Sequence, residues 1–262
     1  MRLTTIRSLV MFLAAWLLLP AGARADVMKW TVDGTAREAI VVPAAKQDPS
    51  GKAPVIFAFH GHGDTMHGAA DGMRLETYWP EAIVVYPQGL PTNPATDPEG
   101  WGWIYSASED GQRDVKFVDA MLATLRTKYT VDDQRIYATG FSNGAVFSYD
   151  LWSARPNLFA AFVVIAGRLP AAVRLTRPKP LLVVAGKQDR NVRFADQLKA
   201  IESAQTINGA GGVGAGCGEE CMMYESSKGA PVITYIHGGG HVYPRGLPYL
   251  TMQFFKKYKM TR

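Results

Sequence analysis

The chain is expected to fold as an α/β protein: a mostly parallel central sheet with helices on both faces and no large lid. Two features of the sequence carry that expectation. Short runs of Val, Ile, Leu, Phe and Tyr alternate with stretches whose apolar residues recur at three and four, which is the pattern of strand and helix in turn. The strand runs are apolar at nearly every position rather than at every second one, as strands covered on both faces require.

Strands are predicted at residues 55–59, 82–86, 135–139, 161–166, 181–185 and 232–236, and helices at 114–129, 143–154, 192–206 and 247–258. Within 114–129, Phe117, Val118, Met121, Leu122 and Leu125 form one apolar stripe. Two connections are long. Residues 88–112 hold Pro91, Pro94, Pro98, Trp101 and Trp103, and residues 205–224 hold a glycine-rich stretch, 209–218, expected to be neither helix nor strand. Loops of that length in a compact domain are more often functional than idle. Between the strands at 161–166 and 181–185 the gap is too short for a helical lid.

The first 25 residues have the three parts of an export signal: basic Arg2 and Arg7, an apolar stretch from Leu9 to Leu19, and the small-x-small site Ala23-Arg24-Ala25. The apolar stretch is too short for a membrane span and runs into Pro20, and no stable membrane anchor is expected. Cleavage leaves residues 26–262, sized for one catalytic domain. Of the net charge of +5, three positive charges belong to Arg2, Arg7 and Arg24, so the remainder is nearly balanced. With no basic stripe interleaved with aromatics, nucleic acid is not an expected partner. Cys217 and Cys221 are the only cysteines. In an exported chain they are expected to pair with each other, and they are too few for a structural zinc site.

The chemistry is concentrated at Gly140-Phe141-Ser142-Asn143-Gly144, where a strand pattern runs directly into a helix pattern. A serine on so sharp a turn is forced outward, and the flanking glycines let strand and helix pass each other. Serine needs a base to take its proton and a third group to orient that base. Asp189 follows the run beginning at Leu181, and His241 follows the run ending at Ile236 through His237 and three glycines. Serine, acid and histidine therefore come in the chain order of an α/β hydrolase. Asp196 is the rival acid and His237 the rival base, both disfavoured because they fall within regular elements rather than in the loops after strands. An oxyanion hole needs main-chain N–H groups after the first core strand and after the nucleophile, which selects His62 in His60-Gly61-His62-Gly63 and Asn143. Trp101, Trp103 and Tyr105 are candidates either for a wall against a flat ligand or for pins of the long loop, and Tyr243 is a further pocket candidate.

The stretches from Asp114 to Leu122, from Val131 to Gly144, and Gly238-Gly239-Gly240-His241-Val242-Tyr243-Pro244 resemble the secreted esterases that include polyhydroxybutyrate depolymerases and feruloyl or acetylxylan esterases. The similarity runs from about Val55 to Tyr258. It implies a Ser-His-Asp carboxylesterase that uses neither metal nor organic cofactor, with the triad on Ser142, His241 and Asp189. Where some relatives have a cysteine before the tryptophan pair, this chain has Gly100-Trp101-Gly102-Trp103, so one disulfide of those relatives is absent. The chain also lacks the linker and binding domain of enzymes that attack solid polyester, which favours a small or oligomeric ester substrate.

Two other classes compete. His60-x-His62-x-Asp64 with His67 is part of a dinuclear metallohydrolase pattern, but Thr65 stands where a further histidine belongs. A non-catalytic glycan-binding protein of the same fold would have no use for an acid and a histidine at the right strand ends. A peptidase would need a larger element to select peptides.

Overall fold

A computed structural model describes residues 25–105 and 112–260; nearly all of the stretch read as an export signal lies outside the described residues. The main sheet has ten strands: β1 (Asp26–Val32), β2 (Thr35–Val42), β3 (Ala53–Phe59), β4 (Ile83–Pro87), β7 (Val131–Phe141), β8 (Ala161–Ile165), β9 (Leu181–Gly186), β10 (Ala215–Gly218), β11 (Cys221–Tyr224) and β12 (Val232–His237). Their spatial order is β1-β2-β4-β3-β7-β8-β9-β12-β11-β10. The six central strands, β4 to β12 in that order, are mutually parallel, and an antiparallel pair closes each edge. A separate two-stranded ribbon, β5 (Leu90–Asn93) with β6 (Asp97–Gly102), occupies the first long connection.

Alternate residues of the central strands feed two cores. Val55, Phe57 and Phe59 join one and Ile56 and Ala58 the other; Ile136 and Ala138 are separated from Tyr137 in the same way. The first core is covered by α2 (Arg113–Lys128), α3 (Asn143–Ala154) and α4 (Phe194–Asn208), and the second by α1 (Met66–Met73) and α5 (Leu247–Phe255). All six predicted strands are the parallel ones, and the four predicted helices are α2 to α5.

The glycine-rich stretch departs from expectation. Residues 215–218 form the edge strand β10, paired with β11 and bent by a register shift between Gly216 and Gly218. Pairing and the Cys217–Cys221 disulfide, with Cα atoms 5.1 Å apart, hold a strand whose own side chains give no pattern. At the opposite edge, the β1–β2 hairpin is fastened to α2 by Arg37, which donates to Asp114 at 2.7 Å and lies over the Phe117 ring.

Candidate active site

Parallel strands bring their carboxyl ends to one rim, and the loops leaving β7, β9 and β12 carry Ser142, Asp189 and His241 to it. Ser142 has φ 55° and ψ −117°, a conformation that L-residues rarely adopt and that costs on the order of 1–3 kcal/mol. The surroundings over-determine it. A Cβ at Gly140 would lie 2.3 Å from the main chain of Gly144, and one at Gly144 would lie 2.4 Å from the carbonyl oxygen of Phe59. Larger residues at either position would push α3 off the sheet and relax the turn.

His241 bridges the other two groups. Its Nε2 is 2.9 Å from Ser142 Oγ and its Nδ1 is 2.8 Å from Asp189 Oδ2. Asp189 is almost fully buried, and its remaining oxygen capacity is filled by donors. Oδ1 accepts from the main-chain N–H groups of Asn191 and Val192, both at 2.9 Å, and Oδ2 accepts from Gln197 Nε2 at 3.0 Å. A carboxylate so supplied accepts from His241 Nδ1–H, leaving Nε2 with its lone pair toward the serine hydroxyl. Gln197, fully buried on α4, also donates to the Val192 carbonyl at 2.7 Å, so one side chain fixes both the acid and its loop. Nothing in the sequence pattern pointed to it.

The loop after β3 lies against the elbow: a Cβ at Gly61 would be 3.6 Å from the Cβ of Ser142. His60 locks that loop from beneath. Its Nδ1 is 2.7 Å from the Gly61 carbonyl oxygen and its Nε2 accepts from Gly89 N–H at 2.9 Å, which sets the tautomer. Burial holds the His60 imidazole below its ordinary pKa. His62 is exposed, with Nε2 3.1 Å from Thr92 Oγ1. Asn143, the first residue of α3, has a main-chain N–H without an intrahelical acceptor, as helix geometry dictates. Its side chain is committed elsewhere: Oδ1 accepts from Trp103 N–H at 2.7 Å and Nδ2 donates to the Trp103 carbonyl at 3.1 Å.

That clamp bears on the aromatic candidates. Trp103 is not a wall residue: it is 1% exposed, stacks on Phe147 at 5.3 Å, and donates from Nε1 to the His60 carbonyl at 2.9 Å. It pins the long connection to the core. Trp101 is half-buried and lines a cleft of about 700 Å³ together with Thr65, Gln88 and Leu90, and its carbonyl accepts from Gly63 N–H. Tyr243 packs edge-on to Phe141, with ring centroids 6.3 Å apart. Its hydroxyl is buried without a hydrogen-bond partner among the described residues, and burial raises its pKa.

Among the described residues, neither rival is hydrogen-bonded to Ser142 or His241. His237 turns its Nδ1 to accept from Gly239 N–H at 3.1 Å, and Asp196 pairs with Arg193 at 2.9 Å. Among the described residues no group of three His, Cys, Asp or Glu side chains converges as metal ligands would. Both ring nitrogens of His60 are already engaged with the main chain.

A serine on a strained elbow, backed by a histidine and a buried acid at the carboxyl ends of strands of one parallel sheet, defines an α/β hydrolase. Residues 37–192 match the phospholipase/carboxylesterase family, and the chain belongs to it. It is 32% identical to feruloyl esterase C of Emericella nidulans over 47% of this chain and 43% of that one. With feruloyl esterase D of Neurospora crassa the identity is 30%, over 61% and 53% of the two chains. This chain thus spans about half the length of those two relatives. An acetyl xylan esterase from Aspergillus awamori shares the fold, with a TM-score of 0.66 at 16% identity over 88% of this chain and 99% of that one.

Proposed function

We propose that this protein is an exported serine carboxylesterase, one catalytic domain spanning residues 26–262. It cleaves carboxylic esters with Ser142 as nucleophile, His241 as general base and Asp189 as the group that orients His241. The unbroken path from Ser142 Oγ through both nitrogens of His241 to Asp189 is the observation that supports this most directly. Family membership and the feruloyl and acetylxylan esterases among its relatives favour feruloyl or acetyl esters of plant polysaccharide, with hydroxybutyrate-type oligoesters as the other substrate class.

In the acylation step His241 Nε2 takes the Ser142 proton as Oγ attacks the carbonyl carbon. Negative charge then develops on the former carbonyl oxygen, within reach of the main-chain N–H groups of His62 and Asn143; such a donor typically contributes about 3–4 kcal/mol to transition-state stabilisation. The imidazolium passes its proton to the leaving alcohol, whose departure leaves an acyl-Ser142. Water, deprotonated by the same nitrogen, attacks that ester; the acyl–oxygen bond breaks, the imidazolium returns its proton to Ser142 Oγ, and the acid is released. This chemistry needs neither metal nor organic cofactor.

Two features support export: the basic, apolar and small-x-small sequence of the first 25 residues and the disulfide. The activity is tested with a short-chain nitrophenyl ester. Wild-type protein releases nitrophenol with a burst, whereas Ser142→Ala, retaining the native circular dichroism spectrum, loses burst and turnover together. Undiminished turnover in that variant contradicts the assignment.

A further inference from the structure

The rim beside the catalytic groups carries an excess of cations around a defined space. β8 lies in the sheet between β7, which delivers Ser142, and β9, which delivers Asp189. The segment leaving β8 therefore borders the nucleophile: a Cβ at Gly167 would lie 2.5 Å from that of Ala145 in the first turn of α3. The next residue, Arg168, lines a cavity of about 550 Å³ with Arg174, Arg193 and Lys199. One acid, Asp196, is among the lining residues, and it is shared: Arg193 Nε is 2.9 Å away and Lys199 Nζ 3.8 Å away. Four cations thus face one carboxylate.

Two of these cations are held in place rather than free to disperse. Arg174 donates to the main-chain oxygen of Ala171, and Arg193 is tied to Asp196. Arg193 is also the residue that caps the N-terminus of α4, with no side-chain cap bond. A cation there opposes the helix dipole, which favours negative charge at that end. Like charges converging on a concave surface cost energy that neutral residues would not, and a bound anion removes that cost. The cavity is lined by the segment leaving β8, beginning at Arg168, and by the start of α4, where Arg193 follows Asp189 by four residues.

Taking the esterase reading above as its basis, we infer that this cavity holds a carboxylate that the substrate carries away from its scissile bond. The preferred esters are then anionic: acyl groups on uronate-bearing polysaccharide, or oligoesters ending in a free carboxylate. Arg168 and Lys199 are the specificity-determining contacts; neither takes part in the hydrogen bonds among Ser142, His241 and Asp189.

The test pairs 4-acetoxybenzoate with its neutral methyl ester, assayed on wild type and on the double variant Arg168→Glu, Lys199→Glu. Both substituted side chains are exposed, so the thermal midpoint is expected to hold. The double variant should lose about tenfold or more in kcat/KM on the anionic ester, through KM, and less than about twofold on the neutral one. Arg168→Lys should retain the wild-type ratio, and raising the salt should shrink the wild-type preference. Acetylated polygalacturonate and hydroxybutyrate trimer, each against its methyl-esterified form, distinguish the two sources of the carboxylate. Equal losses on the anionic and neutral esters, or no loss on either, overturn the inference while leaving the esterase reading intact. Wild-type protein inert on both esters overturns the esterase reading, and this inference with it.

Discussion

Asn143 has two jobs, and a substitution separates them. Its main-chain N–H is the proposed oxyanion donor, while its side chain clamps the Trp103 main chain by an accepted bond of 2.7 Å and a donated one of 3.1 Å. Asn143→Ala removes both bonds and leaves the Trp103 N–H and C=O without partners in a part-buried site. Stranding these two groups costs about 1–3 kcal/mol each, and because the site is only part-buried the loss falls in the lower part of that sum, about 2–4 kcal/mol. For a domain of this size about 1 kcal/mol shifts Tm by about 2–4 °C, giving a fall of roughly 5–15 °C. The nucleophile and its N–H are unaltered, so kcat on a short ester should fall far less than in a triad variant. Thermal melts followed by circular dichroism read the first effect and steady-state kinetics the second. A Tm within about 1 °C of wild type would show that the clamp carries no weight in holding the long connection.

Asp189→Asn presents an amide to His241 Nδ1 and disfavours the tautomer that accepts the serine proton, so kcat should fall by about 10³–10⁴ with little change in KM; a loss below tenfold would remove Asp189 from its role. His60 gives stability a pH dependence. Its folded pKa lies below the ordinary 6.5, so below that pH the unfolded chain binds a proton that the folded chain refuses. Stability therefore falls as the pH drops from about 6.5 toward the folded value, by up to ~1.4 kcal/mol per unit. Urea titrations at a series of pH values should show that slope in wild type and not in His60→Asn; identical slopes would refute it. Reducing Cys217–Cys221, which closes a very short loop at the edge hairpin, should cost about 2 kcal/mol at most and leave kcat unchanged. A loss of activity on mild reduction would mean that the hairpin touches substrate.

What the sequence revealed and what it hid have a common physical cause. β3, β4, β8, β9 and the second half of β7 are buried on both faces, and β12 is buried or half-buried at every position, so they read as continuous apolar runs. β1 is exposed or half-exposed at six of its seven positions, and every residue of β10 is exposed, so no run marks them. α1 did leave a weak trace, with Met66, Ala69 and Met73 buried at helical spacing, but Gly68 and Gly72 diluted it. The catalytic candidates were legible because an elbow, an acid and a histidine must each follow a strand in a fixed order. The Asn143 side chain was not, because its clamp joins it to Trp103, forty residues away in the chain; Gln197 was not, because a glutamine in a helix carries no sign that it turns inward to the Asp189 loop. Trp103 remained ambiguous for a related reason: an indole in a long loop reads alike whether it faces a ligand or, as here, stacks on Phe147.

Ser142 as the nucleophile is the central claim, and covalent trapping tests it most directly. Purified protein treated with a fluorophosphonate at neutral pH should lose activity in proportion to a single added phosphonyl group, mapped by peptide mass spectrometry to Ser142. Prior labelling should be blocked by a competing ester and absent from Ser142→Ala. Full activity after exhaustive treatment, or a label on another residue that tracks the loss of activity, would contradict the account.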